Sequence, residues 1–92
     1  MENKDLNTNG NYNQDYNIHF SFHVSDKVYK GILDFGKIEQ TIIYGKNVPG
    51  KTKYPKLCKR FYFGKENETY FAIFVKTKGH IRVITSWKKK GN

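Results

Sequence analysis

Two apolar runs near the end of the chain predict its central hairpin. Residues 70–75 and residues 81–87 are rich in β-branched and aromatic side chains, and a Lys-Thr-Lys-Gly tetrad lies between them. This arrangement is typical of two antiparallel strands joined by a tight turn. Because no other segment offers as much apolar bulk, we expect the hairpin to supply most of the core.

A first helix is predicted from residue 18 onward. Apolar side chains recur every four positions starting at Phe20, which forms a stripe along one side of a helix that Gly31 would end. Histidines and lysines occupy a neighbouring stripe. An alternative is that Ser25 caps the helix and that residues 18–24 form a short strand.

The rest of the pattern predicts a second helix and one further strand. The second helix would be capped by Asp34 and ended by Gly45. Residues 46–58 are interpreted as a basic loop, since they contain a Pro-Gly turn and since Pro55 disfavours a central strand. A short strand at residues 60–63 precedes the hairpin. The predicted fold class is α+β, with two N-terminal helices followed by a three- or four-stranded antiparallel meander.

The predicted domain organisation is one domain between two tails. Residues 1–17 are Asn-rich and nearly free of aliphatic side chains, so we expect a flexible tail. Residues 18–87 form the single α+β domain, and residues 88–92 form a basic tail. The start lacks a signal-peptide pattern and no apolar run is long enough to span a bilayer, so we expect a cytoplasmic protein without a membrane partner. Cys58 is the one cysteine, which excludes an intramolecular disulfide.

Charge is distributed unevenly along the chain, whose formal net charge is +9. Residues 1–45 carry four Lys/Arg against six Asp/Glu, a net charge of −2. Residues 46–92 carry thirteen against two, a net charge of +11. Such a field attracts polyanions, so RNA is the first expected partner and an acidic protein the second. The alternative is that the lysines serve solubility alone.

Metal and nucleotide chemistry find little support in the sequence. His19 and His23 have the i, i+4 spacing of a zinc pair, yet the cationic second half is a poor place to hold a dication, so we expect no metal and no cofactor. Cys58 lies among lysines but no motif links it to a histidine. The chain has no Gly-rich phosphate loop and no paired-carboxylate motif.

Histidines, cations and hydroxyls together suit metal-independent cleavage of RNA. The reaction needs a base that deprotonates the 2′-hydroxyl, an acid that protonates the leaving 5′-oxygen, and cations that stabilise the charge on phosphorus. Histidine serves as acid or base near neutral pH. The competing hypothesis is a non-catalytic nucleic-acid-binding or protein-interaction module with structural histidines. In that module the binding residues would be Lys51, Lys53, Lys56 and Arg60.

A resemblance extends this hypothesis. The run His23-Val24-x-x-Lys27-Val28-x-Lys30-Gly31-Ile32, the helix that follows it and the ending Arg82-Val83-Ile84-Thr85 resemble the small BrnT/RelE-like toxins. Those toxins belong to the barnase–EndoU–colicin–RelE (BECR) group of metal-independent ribonucleases. The resemblance covers about residues 18–87. It implies two helices ahead of a sheet, RNA cleavage, and an acidic antitoxin or immunity protein as partner.

The resemblance also implies site residues. The acid or base would be His23, or His19 in its place. Cations and a hydroxyl of the last strand would complete the site: Lys27, Lys30, Arg82 and Thr85. The chain has lysines where the family usually has arginines on the first helix, and a lysine offers a point charge instead of a bidentate fork.

Strand alternation separates two of these residues. With a period of two, Arg82 and Ser86 face one side of the last strand while Thr85 faces the other. Arg82 and Thr85 share a site only if a bulge intervenes or Thr85 acts at the strand end; otherwise Ser86 replaces it as the RNA-contacting hydroxyl. Arg82 is therefore preferred to Thr85, and His80 is interpreted as a turn residue.

Overall fold

The structure, a computed structural model, describes residues 17–92. Its elements in chain order are β1 (Asn17–Phe20), α1 (Phe22–Tyr29), α2 (Phe35–Tyr44), β2 (Lys46–Asn47), β3 (Lys56–Phe63), β4 (Glu68–Thr77) and β5 (His80–Lys90). The predicted α+β class is confirmed. None of the helices in this part of the chain is long and apolar enough to cross a membrane. Residues 1–16, most of the predicted flexible tail, lie outside the described residues, and Asn17 belongs to β1.

The sheet differs from the predicted antiparallel meander. It has five strands in the order β1-β5-β4-β3-β2, and β1 pairs with β5 in parallel. The remaining neighbours are antiparallel. β3 starts at Lys56, inside the predicted basic loop, and β5 continues through the lysines of the predicted C-terminal tail to Lys90.

The first helix starts later than predicted. Residues 17–20 form a strand, so the prediction of a helix from residue 18 was wrong, and α1 is capped by Ser21 instead of Ser25. The Ser21 Oγ accepts a hydrogen bond from the Val24 N–H at 3.2 Å and donates one to the Ile84 carbonyl at 2.9 Å. A spacing of four between Phe20 and Val24 satisfies a strand period of two as well as a helix, which explains the error.

The second helix and the hairpin are confirmed. The Asp34 carboxylate accepts a hydrogen bond from the Lys37 N–H at 2.9 Å, and Gly45 ends α2. Strands β4 and β5 are joined by the two residues between Thr77 and His80, where Gly79 has a φ of 66°. Such a left-handed conformation favours glycine in a tight hairpin turn.

Both helices pack on one face of the sheet and cover the core. The core residues come from the helix layer (Val24, Leu33, Ile38, Ile42) and from β4 and β5 (Tyr70, Ala72, Phe74, Ile81, Val83). The hydroxyl of Tyr70 accepts a hydrogen bond from the Asp34 N–H at 3.1 Å, which ties the start of α2 to the sheet. We call the other side of the sheet, opposite α1 and α2, the open face.

A β-bulge in β5 decides which side chains reach the open face. Ile73 pairs with Thr85 while Phe74 pairs with Val83, so Ile84 is an additional residue in the ladder. The additional residue shifts the alternation by one position, so each residue of β5 after Ile84 lies on the face opposite to the one that regular alternation from Arg82 predicts. Thr85 therefore lies on the same face as Arg82, as the bulge alternative predicted.

Candidate nucleic-acid interface

The open face carries a row of alternating cationic and aromatic groups. Phe71 of β4 and Trp87 of β5 are register partners, and their rings stack with centroids 5.0 Å apart and an interplanar angle of 6°. The Arg60 guanidinium lies 5.5 Å from the centroid of the Phe71 ring. The Lys51 ammonium lies 5.4 Å from the centroid of the Trp87 ring. The row thus runs from β3 across β4 to β5, with a cation at each end.

Further cations surround this row, and the strand register sets their side of the sheet. Arg82 pairs with Val75 and Lys89 pairs with Thr69, and both partners lie an even number of residues from Phe71 on β4, so they share its face. The cations on strand positions of the open face are Lys46, Lys56, Arg60, Arg82 and Lys89. A concentration of cations with aromatic rings between them is the composition of surfaces that bind single-stranded nucleic acid.

Carboxylates lie elsewhere in the described residues. Asp26, Asp34 and Glu39 belong to the helix layer. Glu66 lies in the turn between β3 and β4, and Glu68 shares its face with Tyr70 on the helix side of the sheet. No aspartate or glutamate of residues 17–92 occupies a strand position of the open face, so the cations on these strands have no acidic side chain beside them on the sheet.

Two histidines meet at one end of the open face. The rings of His19 on β1 and His80 on β5 have centroids 5.7 Å apart and an interplanar angle of 27°. Arg82 is the register partner of His19, and all three side chains are exposed. Thr85 follows Arg82 on the same face beyond the bulge. His80 is therefore the first residue of β5 and a member of this cluster, not the turn residue that the sequence suggested.

The remaining predicted catalytic residues lie on the other side of the sheet. His23, Lys27 and Lys30 belong to α1, which packs on the helix side. Lys30 forms an ion pair with Asp26 at 3.0 Å. The sheet therefore separates His23 from Arg82 and Thr85, and a site built from His23 together with Arg82 is not assembled.

The residues predicted to bind RNA lie in different parts of the structure. Lys51, Lys53 and Lys56 lie in or beside the loop between β2 and β3, and Lys51 reaches Trp87 on the open face. Ser86 is completely buried, and its hydroxyl donates a hydrogen bond to the Phe71 carbonyl at 2.6 Å, so it does not lie on the open face. The bulge that brings Thr85 to the open face turns Ser86 into the core.

The zinc pair and the cysteine nucleophile have no geometric support. His19 belongs to β1 and His23 to α1, so they do not share one helix. Within residues 17–92 no three His, Cys, Asp or Glu side chains come close enough to hold a metal ion. Cys58 is 4% exposed, and burial raises the pKa of its thiol although Lys51 lowers it in part. Burial and the raised pKa both disfavour the thiolate, which is the reactive form of a cysteine.

Sequence reasoning missed Phe71 and Trp87 as residues of the open face, and it missed the contact of His80 with His19. It assigned the apolar residues of both hairpin strands to the core, whereas Phe71 and Trp87 are only half-buried on the open face. A signal was available, because apolar residues at odd and even positions of a strand mean that both faces are apolar.

Comparison with known proteins finds no matching family model, no similar curated sequence and no similar solved structure. The resemblance to BrnT/RelE-like toxins therefore stays a prediction.

Proposed function

We propose that the protein binds single-stranded nucleic acid across the open face. The observation that carries this proposal is the row of Arg60, Phe71, Trp87 and Lys51, in which two stacked rings are flanked by cations. Aromatic side chains stack on bases at about 1–3 kcal/mol per base, and cations pair with the phosphates between them.

The geometry favours a single strand over a duplex. Bases of a duplex are stacked on each other and are inaccessible to Trp87 and Phe71, whereas those of a single strand can lie against the rings. Lys51 belongs to an exposed loop position and contacts the same ring surface that a base would use. We expect an incoming base to displace this ammonium toward a neighbouring phosphate.

The experiment uses Trp87 as its own reporter, since it is the one tryptophan of the chain. Unlabelled oligouridine, oligothymidine and duplex RNA are titrated at increasing salt while its fluorescence is followed. We expect saturable quenching by the single strands and an affinity that falls linearly with salt on logarithmic axes. Absence of binding at low salt, or equal binding of duplex and single strand, would overturn the proposal.

A second candidate function is metal-independent cleavage of the bound RNA. The favouring observation is the contact between His19 and His80 beside Arg82. One imidazole would take the proton of a 2′-hydroxyl, whose oxygen then bonds to phosphorus as the bond to the 5′-oxygen breaks. The other imidazole would protonate that 5′-oxygen, leaving a 2′,3′-cyclic phosphate and a 5′-hydroxyl, while Arg82 stabilises the phosphorane charge.

Cleavage is tested with structured and unstructured RNA in EDTA, because no metal is required. His19→Ala and His80→Ala are expected to lose cleavage and keep binding. The matched control is His23→Ala, which removes the histidine on the other side of the sheet and is expected to retain activity. Intact RNA at stoichiometric wild-type protein, or loss of cleavage in His23→Ala, contradicts this candidate. If cleavage is found, an acidic antitoxin or immunity protein would bind the same positive face.

A further inference from the structure

A cleft lies at the β2–β3 edge of the sheet, where the open face meets the helix side. It has a volume of about 460 Å³ and forms where the two-residue strand β2 stops while β3 continues. This volume falls within the range of about 300–1,000 Å³ that small-ligand sites occupy. The side chains that matter for its chemistry are Tyr44, Lys46, Asn47, Arg60, Tyr62 and Asn92.

Two cations are held side by side in this cleft. Lys46 and Arg60 are register partners on antiparallel strands, so their side chains leave the sheet on the same side. Like charges directly opposite each other destabilise a strand pair. The ion pairs found within residues 17–92 join Lys30 to Asp26, Lys37 to Glu66 and Lys88 to Glu68, so neither Lys46 nor Arg60 takes part in one. An anion between Lys46 and Arg60 would remove the repulsion.

The arginine is positioned before any ligand arrives. Its Nη2 donates a hydrogen bond to the Asn92 Oδ1 at 3.0 Å, and its guanidinium lies over the Phe71 ring. A planar guanidinium held in this way presents its remaining N–H groups as a fork, which matches two oxygens of a phosphate. Lys46 adds a flexible point charge beside it.

The other walls of the cleft suit a nucleobase. The rings of Tyr44 and Tyr62 are 57% and 37% exposed, so both offer apolar surface to a ligand. The Tyr62 hydroxyl donates to the Asn67 Oδ1 at 2.7 Å, which holds that ring in place. Asn47 also lines the cleft, from a strand position on the helix side, and its side-chain amide has both a donor and an acceptor, which is what the edge of a base requires.

We propose that this cleft binds a nucleoside monophosphate, with the phosphate between Lys46 and Arg60 and the base between the tyrosines. The ligand comes either as a free mononucleotide or as the terminal phosphorylated nucleotide of the strand bound on the open face. The inference rests on the proposed function only for the second source.

The test uses calorimetric titration at low salt with each of the four ribonucleoside monophosphates and with inorganic phosphate. The same protein is titrated with oligouridine that carries or lacks a terminal phosphate. Lys46→Gln is the main variant, and Lys78→Gln in the hairpin turn is its control of equal charge change. Asn47→Ala probes the base, and thermal melting verifies that each variant is folded.

We expect a mononucleotide to bind more tightly than inorganic phosphate and to weaken about tenfold in Lys46→Gln, since a charge-assisted hydrogen bond is lost. Lys78→Gln should bind as the wild type, and Asn47→Ala should bind the four nucleotides with more similar affinities. Preference for end-phosphorylated oligouridine without free-nucleotide binding supports the strand-end source.

Different results would overturn the cleft proposal and the proposed single-strand binding. Binding of plain oligouridine with neither mononucleotide binding nor an end-phosphate preference overturns the cleft and leaves the proposed function intact. Binding of a mononucleotide without binding of oligouridine overturns the proposed function and leaves the cleft proposal intact. Inorganic phosphate bound as tightly as a nucleotide, or an unchanged affinity in Lys46→Gln, also overturns the cleft as a nucleotide site.

Discussion

At Gly45 the end of α2 lies directly against strand β3. A Cβ added there would collide with two backbone carbonyl oxygens, those of Thr41 and Arg60. Backbone atoms cannot turn aside as a side chain can, so the end of α2 or strand β3 would have to shift. Since Arg60 belongs to the cationic row of the open face, this single glycine connects the packing of one face to the geometry of the other.

We therefore predict that Gly45→Ala destabilises the protein by about 1–3 kcal/mol, the usual cost of overpacking a filled site. Urea unfolding measures the change. Gly64→Ala is the matched control, because a Cβ at that position would make only an ordinary 3.6 Å contact with the Tyr62 side chain. Equal stabilities of Gly45→Ala and wild type would contradict the close approach.

At the scale of elements, the junction between strand β1 and helix α1 is bonded to strand β5. The chain leaves β1 at Phe20, and Ser21 caps α1 while its N–H donates to the Val83 carbonyl at 3.0 Å. Its hydroxyl donates to the carbonyl of Ile84, the additional residue of the bulge. The bulge that orients Thr85 and Trp87 toward the open face is thus attached to the helix layer.

A feature of this structure could be predicted from the sequence when it depends on residues that are close together in the chain. The Asp34 cap of α2 and the Gly79 turn depend on a few neighbouring residues, and both were predictable. Strand β1 was not, since its parallel partner β5 is about sixty residues away in the sequence. The bulge could be stated only as an alternative, because a one-residue offset depends on both strands together. The His19–His80 contact depends on β1, so it was missed.

The ends of β4 and β5 are held together by an ion pair that responds to pH. Lys88 Nζ lies 3.0 Å from the Glu68 Oε2, and this hydrogen bond, together with nearby lysine charges, lowers the pKa of the Glu68 carboxyl although partial desolvation opposes the shift. The folded state keeps this carboxylate ionised more firmly than the unfolded chain does. Its stabilisation is present above the ordinary glutamate pKa of about 4.3 and is lost as pH falls through the lowered pKa.

We predict that Glu68→Gln reduces the acid sensitivity of the fold. Thermal melting at neutral pH and at about pH 2.5, both at low salt, should show a smaller fall in melting temperature for this variant than for wild type. Glu66→Gln, which alters the adjacent turn carboxylate, is the control and should follow the wild type more closely. A fall in Glu68→Gln as large as in wild type would contradict the role assigned to the Glu68–Lys88 pair.

For the whole molecule, the sheet separates two chemical environments. Within residues 17–92, the helix side holds the core and most carboxylates, whereas the open face holds the cation–aromatic row and the histidine pair. A binding surface on a sheet gains rigidity from the core behind it, because side chains on strands keep fixed spacings. The net charge of +9 belongs to the whole chain and does not show how its positive and negative groups are divided between the two sides of the sheet.

The placement of charge, and not its total, is expected to set affinity for nucleic acid. We compare Arg82→Gln/Lys89→Gln on the open face with Lys27→Gln/Lys30→Gln on α1, since each pair removes two positive charges. Binding of oligouridine is measured as a function of salt. The open-face pair should lower the slope of log affinity against log salt by about 1.4, because each lost phosphate contact on a single strand accounts for about 0.7.

The α1 pair should leave that slope nearly unchanged, because its side chains lie across the sheet from the bound strand. If binding depended only on the long-range electrostatic field of the protein, the α1 pair would also lower the slope. At low salt that field extends over tens of ångströms and depends mainly on total charge. An equal loss of oligouridine affinity in both double variants would mean that binding is non-specific attraction to a polycation. That result would contradict the proposal that the open face is the interface. A loss confined to Arg82→Gln/Lys89→Gln would place the strand on the surface where the rings and the histidines lie, next to the cleft.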